Sequence, residues 1–113
     1  MTRRSEKVSS LLQQEIGEYL LLQELPALTT ISKVEVTPDL KWGKIWITVM
    51  GDAGVQAQVL ESLNDNLFEL QGILNRKFTM KFVPRVKFVL DHGEEYAAKI
   101  NELLRQANAD DEQ

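Results

Sequence analysis

The chain has 113 residues, enough for a single domain with one modest hydrophobic core. It contains no cysteine, which excludes disulfide bonds, thiolate metal sites and cysteine nucleophiles. The formal net charge of −4 argues at first sight against a nucleic-acid partner. Because salt screens charges beyond roughly 8–10 Å, however, a local patch matters more than the total.

The acidic charge is concentrated at the C-terminal end. Residues 91–113 hold seven acids and two bases, whereas residues 1–90 hold eleven bases and ten acids. We interpret residues 1–107 as a single domain and residues 108–113 as a disordered acidic tail. No apolar run approaches the roughly 20 residues of a membrane span, and no signal-peptide region follows the N-terminal bases. We therefore expect a cytoplasmic protein without a membrane partner.

The first half of the chain predicts a helix and two strands. Ser5 is a candidate N-cap for an amphipathic helix, and Pro26 ends that region. Residues 31–37 and 42–50 are rich in β-branched residues and alternate in polarity, and the short link between them predicts an antiparallel pair. One face of the second strand carries Ile45, Ile47 and Val49, and the other carries Lys44, Trp46 and Thr48.

Residues 55–76 have apolar side chains at helical spacing. The weak helix formers at 64–66 and at Gly72 predict a kink or a split into two helices. This helical segment is a crossover connection to the third strand, right-handed where it joins parallel strands. A last helix is predicted from Glu94 to Ala107.

The stretch from Arg76 to Leu90 alternates at period two and predicts the third strand. From Phe78 to Leu90 its even positions are apolar, whereas its odd positions include the bases Lys77, Lys81, Arg85 and Lys87. Pro84 cannot donate to a ladder, which favours an edge position or a bulge. Residues 70–90 contain no acid. A purely cationic strip on one sheet face indicates a phosphate-bearing partner.

The predicted fold is α+β, with helices on one face of a three-stranded sheet and the other face open. Trp46 lies on the open face beside the bases, where it could stack on a nucleobase or pack over lysine stems or under the last helix. For Trp42 we favour packing, over lysine stems or under the last helix. His92 has no second histidine or cysteine to complete a metal site, and no catalytic motif occurs. We expect no cofactor and no enzymatic activity.

Three segments resemble the bacterial ribosome-binding factor A family, namely TPDLKWGKIWITVMGD at 37–52, RKFTMKFVPRVKFVLD at 76–91 and DHGEEYAAKINELL at 91–104. Together with the basic start of the first helix, they cover most of the chain to Leu104. The resemblance implies a KH-like fold of the second topological type. It also implies a monomeric, non-enzymatic assembly factor that binds the immature small (30S) ribosomal subunit and its 16S ribosomal RNA. Such a factor assists late maturation, processing of the precursor's 5′ end and cold adaptation.

The bases and one tryptophan are the candidate RNA-binding residues. They are Arg3, Arg4, Lys7, Lys41, Lys44, Trp46, Arg76, Lys77, Lys81, Arg85 and Lys87. The family's Ala-x-Gly kink falls on residues 66–68, where this chain has no glycine, so no RNA contact is assigned there. One alternative is a protein-interaction module that dimerises or docks through Trp46 and Met50. Another is a small-molecule-binding regulatory domain, which needs a polar pocket that the sequence does not indicate.

Overall fold

The computed structural model describes residues 3–91 and 102–106. The elements are α1 (Arg3–Leu22), β1 (Thr29–Val36), β2 (Trp42–Val49), α2 (Ala53–Asp65), α3 (Leu67–Lys77) and β3 (Arg85–Leu90). Residues 102–106 are helical, as predicted. The rest of the predicted last helix and the acidic tail at 108–113 lie outside the described residues. The predicted α+β class and element order are confirmed.

The three strands form one mixed sheet with β2 at its centre. β1 pairs with β2 antiparallel, as the short hairpin link predicted, and β3 pairs with β2 parallel. A parallel pair needs a long crossover, and α2 and α3 supply it. The hairpin and the crossover together place β3 at a sheet edge.

The hydrophobic core lies between one sheet face and the three helices. Ile45 and Ile47 on β2 are completely buried there, and they alternate with the outward-facing Lys44 and Trp46, as predicted. The helices contribute apolar side chains at helical spacing: Val8, Leu12, Ile16, Tyr19, Leu20, Val59, Leu63, Leu70 and Leu74. Among the described residues no helix packs on the opposite face, which remains open.

A bulge in β1 changes which residues reach that open face. The register with β2 shifts between Ile31 and Lys33, so Ser32 is the extra residue. Ile31 and Val34, three positions apart, both pack against the core as a result. Lys33 pairs with Trp46 and lies on the open face.

The predicted cap at Ser5 is wrong. Helix α1 begins at Arg3, and Ser5 is completely buried on its core side, where the Ser9 hydroxyl donates to its carbonyl oxygen at 2.8 Å. Position 5 precedes Val8 and Leu12 on the buried stripe of the helix. Only a small side chain fits at this position against the core.

The predicted break in the second helical segment is confirmed at Asn66. Its φ of −104° and ψ of 12° end α2, and its side-chain amide donates to the Ser62 carbonyl at 2.9 Å. Helix α3 starts at the next residue. Phe68 is 92% exposed in its first turn.

The predicted continuous strand from Arg76 to Leu90 is wrong in its first half. Helix α3 continues to Lys77, and bases in its last turn suit the partial negative charge of a helix C-terminus. Residues 78–84 form a connecting segment, in which Phe82 is 75% exposed although its even position predicted burial. Pro84 is buried in this segment directly before β3. It lies outside the sheet ladder, so the predicted edge-strand or bulge position is wrong, although β3 itself is an edge strand.

Candidate nucleic-acid interface

The hairpin loop between β1 and β2 is held by a dense set of short hydrogen bonds. The Thr37 N–H donates to the Trp42 carbonyl at 3.0 Å, and the Trp42 N–H donates to the Thr37 hydroxyl at 3.2 Å. Asp39 Oδ1 accepts from the Thr37 hydroxyl and, at 3.0 Å, from the Lys41 N–H. These two donors lower the pKa of Asp39. The loop therefore presents Lys41 and Trp42 from a fixed backbone.

Leu40 completes this loop in the left-handed region, with a φ of 62°. A leucine rarely adopts that conformation, which is favourable only where the surroundings hold it. The Leu40 N–H donates to the Thr37 carbonyl at 2.8 Å, and the side chain packs against the core. The strained turn directs an apolar side chain inward and leaves the flanking Asp39 and Lys41 exposed.

A groove of about 680 Å³ opens where three distant segments of the chain meet. They are the start of α1, the hairpin loop, and residues 80–85. The Arg85 N–H donates to the Lys41 carbonyl at 2.9 Å and joins two of them. The floor is apolar, formed by Val8, Leu40, Met80 and Val83; the rim is cationic, formed by Arg4, Lys41, Lys81 and Arg85. Among the described residues that line this cationic groove, Asp39 is the only acid.

Gln71 on α3 fixes the start of β3 beneath the cationic groove. Its side-chain N–H donates to the Pro84 carbonyl at 2.9 Å, and its Oε1 accepts from the Val86 N–H at 3.2 Å. One amide thus satisfies a backbone donor and a backbone acceptor of the edge strand. Arg85, between these two residues, is held in place at the rim.

A second groove, of about 480 Å³, lies on the open sheet face and shares Trp42 with the first. The strand register sets Lys44 opposite Lys87, and both line this groove. Trp42, opposite Arg85, is 54% exposed, so the predicted packing does not bury it. The two grooves meet at Trp42 and form one largely cationic surface.

Trp46 lies further along the open face and is already engaged. Its Nε1 donates to Glu35 Oε1 at 3.1 Å, and the ammonium groups of Lys33 and Lys44 lie 4.6 and 5.3 Å from the centroid of its ring. Glu35 also pairs with Lys33 at 3.1 Å. The hydrogen bond from Lys33, assisted by the indole, lowers the pKa of Glu35. The packing interpretation of Trp46 therefore describes it better than free exposure.

The predicted RNA-binding residues fall into three groups. Four form the rim of the cationic groove: Arg4, Lys41, Lys81 and Arg85. Three lie on the open sheet face: Lys44, Trp46 and Lys87. The remaining four, Arg3, Lys7, Arg76 and Lys77, are exposed on helices and do not line either groove. The predicted place of Lys77 on the open face is wrong, because it ends α3 and pairs with Glu15 on α1 at 2.9 Å.

Lys33, Glu35, Trp42 and Phe82 belong to this surface but were not predicted from the sequence. Lys33 and Glu35 alternate with the buried Val34 and Val36, and this alternation is the sequence signal that could have placed both on the open face. Within residues 3–91 and 102–106, no helix is long and apolar enough to cross a membrane. The same residues contain no cluster of three metal-ligating side chains; His92 lies outside them.

Comparison with known proteins gives a consistent family. The family model described as ribosome-binding factor A matches residues 4–104. Ribosome-binding factor A of Chlorobium phaeovibrioides is 38% identical over 110 residues, covering 93% of this chain and 92% of the relative. The corresponding protein of Caldanaerobacter subterraneus is 30% identical over 112 residues and is covered to 92%.

A solved structure shares the fold. The crystal structure of ribosome-binding factor A from Thermus thermophilus superposes with a TM-score of 0.68 at 18% identity, covering 80% of this chain and 98% of that one. A homology model of the Thermus protein, fitted into a cryo-electron-microscopy map of its complex with the 30S subunit, gives a TM-score of 0.61 at 21% identity. It covers 74% of this chain and 90% of that one. These likenesses establish the architecture.

Proposed function

Because the chain belongs to the ribosome-binding factor A family, we propose that it binds the small ribosomal subunit through its 16S ribosomal RNA and assists late maturation without catalysing a reaction. The proposal includes processing of the precursor's 5′ end and a role in growth in the cold. It treats the protein as a cytoplasmic monomer. The Thermus thermophilus relative, fitted into a map of a complex with the 30S subunit, supports the choice of partner.

The cationic groove is the observation that carries this proposal. Four bases surround an apolar floor, and Lys44 and Lys87 extend the positive surface across Trp42. In RNA, the backbone phosphates are the most abundant groups that such a cationic surface can bind. If all six cations neutralise one phosphate each, the logarithm of the binding constant should fall with the logarithm of salt with a slope of roughly −4 to −5.

A protein-interaction module that docks through Trp46 receives less support. The indole N–H is satisfied by Glu35, and two ammonium groups approach the ring. A docking partner would have to displace this charged cluster before it reached the apolar ring. The RNA proposal needs no such rearrangement.

The test of the partner is co-sedimentation with purified small subunits at several salt concentrations. Lys81→Glu/Arg85→Glu reverses two rim charges, and Gln13→Glu/Gln14→Glu/Arg105→Glu makes the same change in net charge at exposed positions that do not line the groove. We expect the wild type and the control to sediment with subunits at low salt and the groove variant to remain unbound. Wild-type protein that stays at the top of the gradient would overturn the function. Equal binding of both variants would overturn the site.

The maturation part needs a cellular test. In bacteria that lack the protein, we expect the control variant to restore growth at low temperature and the normal 5′ end of 16S ribosomal RNA. The groove variant should leave precursor ends and the cold growth defect. Full rescue by the groove variant, at equal protein level, would show that maturation does not depend on the cationic groove.

A further inference from the structure

Two exposed aromatic side chains line the cationic groove and have no part in phosphate binding. Trp42 is 54% exposed and Phe82 is 75% exposed. Their surroundings are the apolar floor on one side and the rim cations on the other. Lys81 lies next to Phe82, with its ammonium 5.5 Å from the centroid of the ring. Both rings thus combine an accessible π face with nearby positive charge.

The backbone that carries Trp42 is rigid. Its N–H and its carbonyl are both bonded to Thr37, and its neighbour Lys41 is bonded to Asp39 and Arg85. The ring belongs to both grooves. A backbone held in advance costs less conformational entropy when a ligand stacks on the ring that it carries. Trp42 is therefore placed as a platform at the junction of two cationic surfaces.

This pattern distinguishes between forms of RNA. In a duplex the base faces are covered by neighbouring bases, so a protein ring reaches only phosphates and groove edges. An unpaired segment offers free base faces that stack on aromatic side chains with little dependence on sequence. A duplex would contact the rim cations but would make no stacking contact with Trp42 or Phe82.

We infer that the cationic groove binds an unpaired segment of RNA, with bases stacked on Trp42 and Phe82 and backbone phosphates at the rim cations. This inference rests on the proposed function and specifies the RNA element. The site lies at the start of β2 and β3, away from the α2–α3 break at Asn66. It assigns a role to two residues that charge alone does not single out.

The test is a binding titration with two fluorescently labelled RNAs, a short single strand and a hairpin of the same base composition. Trp42→Leu and Phe82→Leu keep an apolar side chain but remove the π face. Phe68→Leu makes the same change at an exposed phenylalanine on α3 outside the groove. We expect the wild type to prefer the single strand. Each groove variant should weaken single-strand binding by roughly 5- to 100-fold, while Phe68→Leu has no effect.

The salt dependence separates stacking from damage to the fold. Because the rim cations remain, the groove variants should keep the wild-type salt slope and the wild-type hairpin affinity. Equal wild-type affinity for both RNAs, or single-strand binding unchanged by both groove variants, would overturn the stacking inference. Co-sedimentation with subunits would then still decide the proposed function separately. Loss of self-association in the groove variants, with RNA binding intact, would identify a second copy as the occupant instead.

Discussion

The Lys77 ammonium donates to the Glu15 carboxylate at 2.9 Å and joins the last turn of α3 to the middle of α1. The two residues are separated by 62 positions in sequence. Lys77, one of the bases between Arg76 and Leu90, therefore lies on the helical side of the molecule and not on the open sheet face. The hydrogen bond to Glu15 raises the pKa of Lys77. Lys77 therefore links α3 to α1 at the protein surface.

Lys77→Gln should leave binding to small subunits unchanged and lower the urea midpoint only slightly, because exposed ion pairs contribute little. A raised pKa stabilises the fold below the ordinary lysine pKa, and this contribution is lost as the pH rises through the raised value. The difference in midpoint should accordingly shrink at strongly alkaline pH. A clear loss of subunit binding would contradict this prediction and indicate that Lys77 contacts RNA.

Gln71→Leu should lower the free energy of unfolding by about 1–3 kcal/mol, because the N–H of the buried Val86 and the carbonyl of the buried Pro84 lose their bonds to Gln71. Urea denaturation measures the change. Gln13→Leu, at an exposed position of α1, is the matched control and should have little effect. If the two substitutions were equally mild, the bridge between α3 and β3 would be unimportant for stability.

Glu35→Gln should strengthen RNA binding at low salt by about 2- to 5-fold, since it removes the acid that pairs with Lys33 on the open face. Glutamine can still accept from the Trp46 indole. The lowered pKa of Glu35 means that its stabilising contribution is present above the ordinary carboxyl pKa and is lost as the pH falls through the lowered value. Titrations with RNA across salt concentrations measure the gain, which should vanish at high salt. Weaker binding of the variant would contradict this role.

Gly51→Ala and Gly17→Ala should have opposite effects. Gly51 has a φ of 124°, and a Cβ there would lie 3.2 Å from Val55, so we expect a loss of roughly 1–3 kcal/mol. Gly17 lies inside α1, where a Cβ meets nothing within 4 Å. Alanine there should add about 0.5–1 kcal/mol. Thermal denaturation of both variants checks the signs, and a shared sign would contradict the prediction.

Local patterns were sufficient to predict much of the fold. Alternation around Ile45 and Ile47 predicted the central strand and its buried face, because one side chain in two must reach the core. The short link between β1 and β2 predicted their antiparallel pairing. The polar residues ending at Asn66 predicted the break between α2 and α3. Each of these features is decided by neighbours in sequence.

The candidate RNA-binding surface was less predictable because it depends on packing between distant segments. Period two from Arg76 to Leu90 is shared by a helix end, a connecting segment and a strand, and only the tertiary structure separates them. The bulge at Ser32 places Ile31 against the core although Lys33, two residues later, lies on the open face. The grouping of Arg4 with Lys41 and Lys81 has no local signal. The charge pattern identified the candidate bases, but the tertiary structure determines which of them lie together.

The cationic groove is built from residue 4, the hairpin at 39–42 and residues 80–85. No fragment of the chain that lacks one of these segments contains the complete site. During synthesis the chain therefore lacks this groove until β3 has been made and has paired with β2. Formation of the groove thus requires completion of the sheet, so an unfinished or partly unfolded chain lacks the complete site that we propose for RNA.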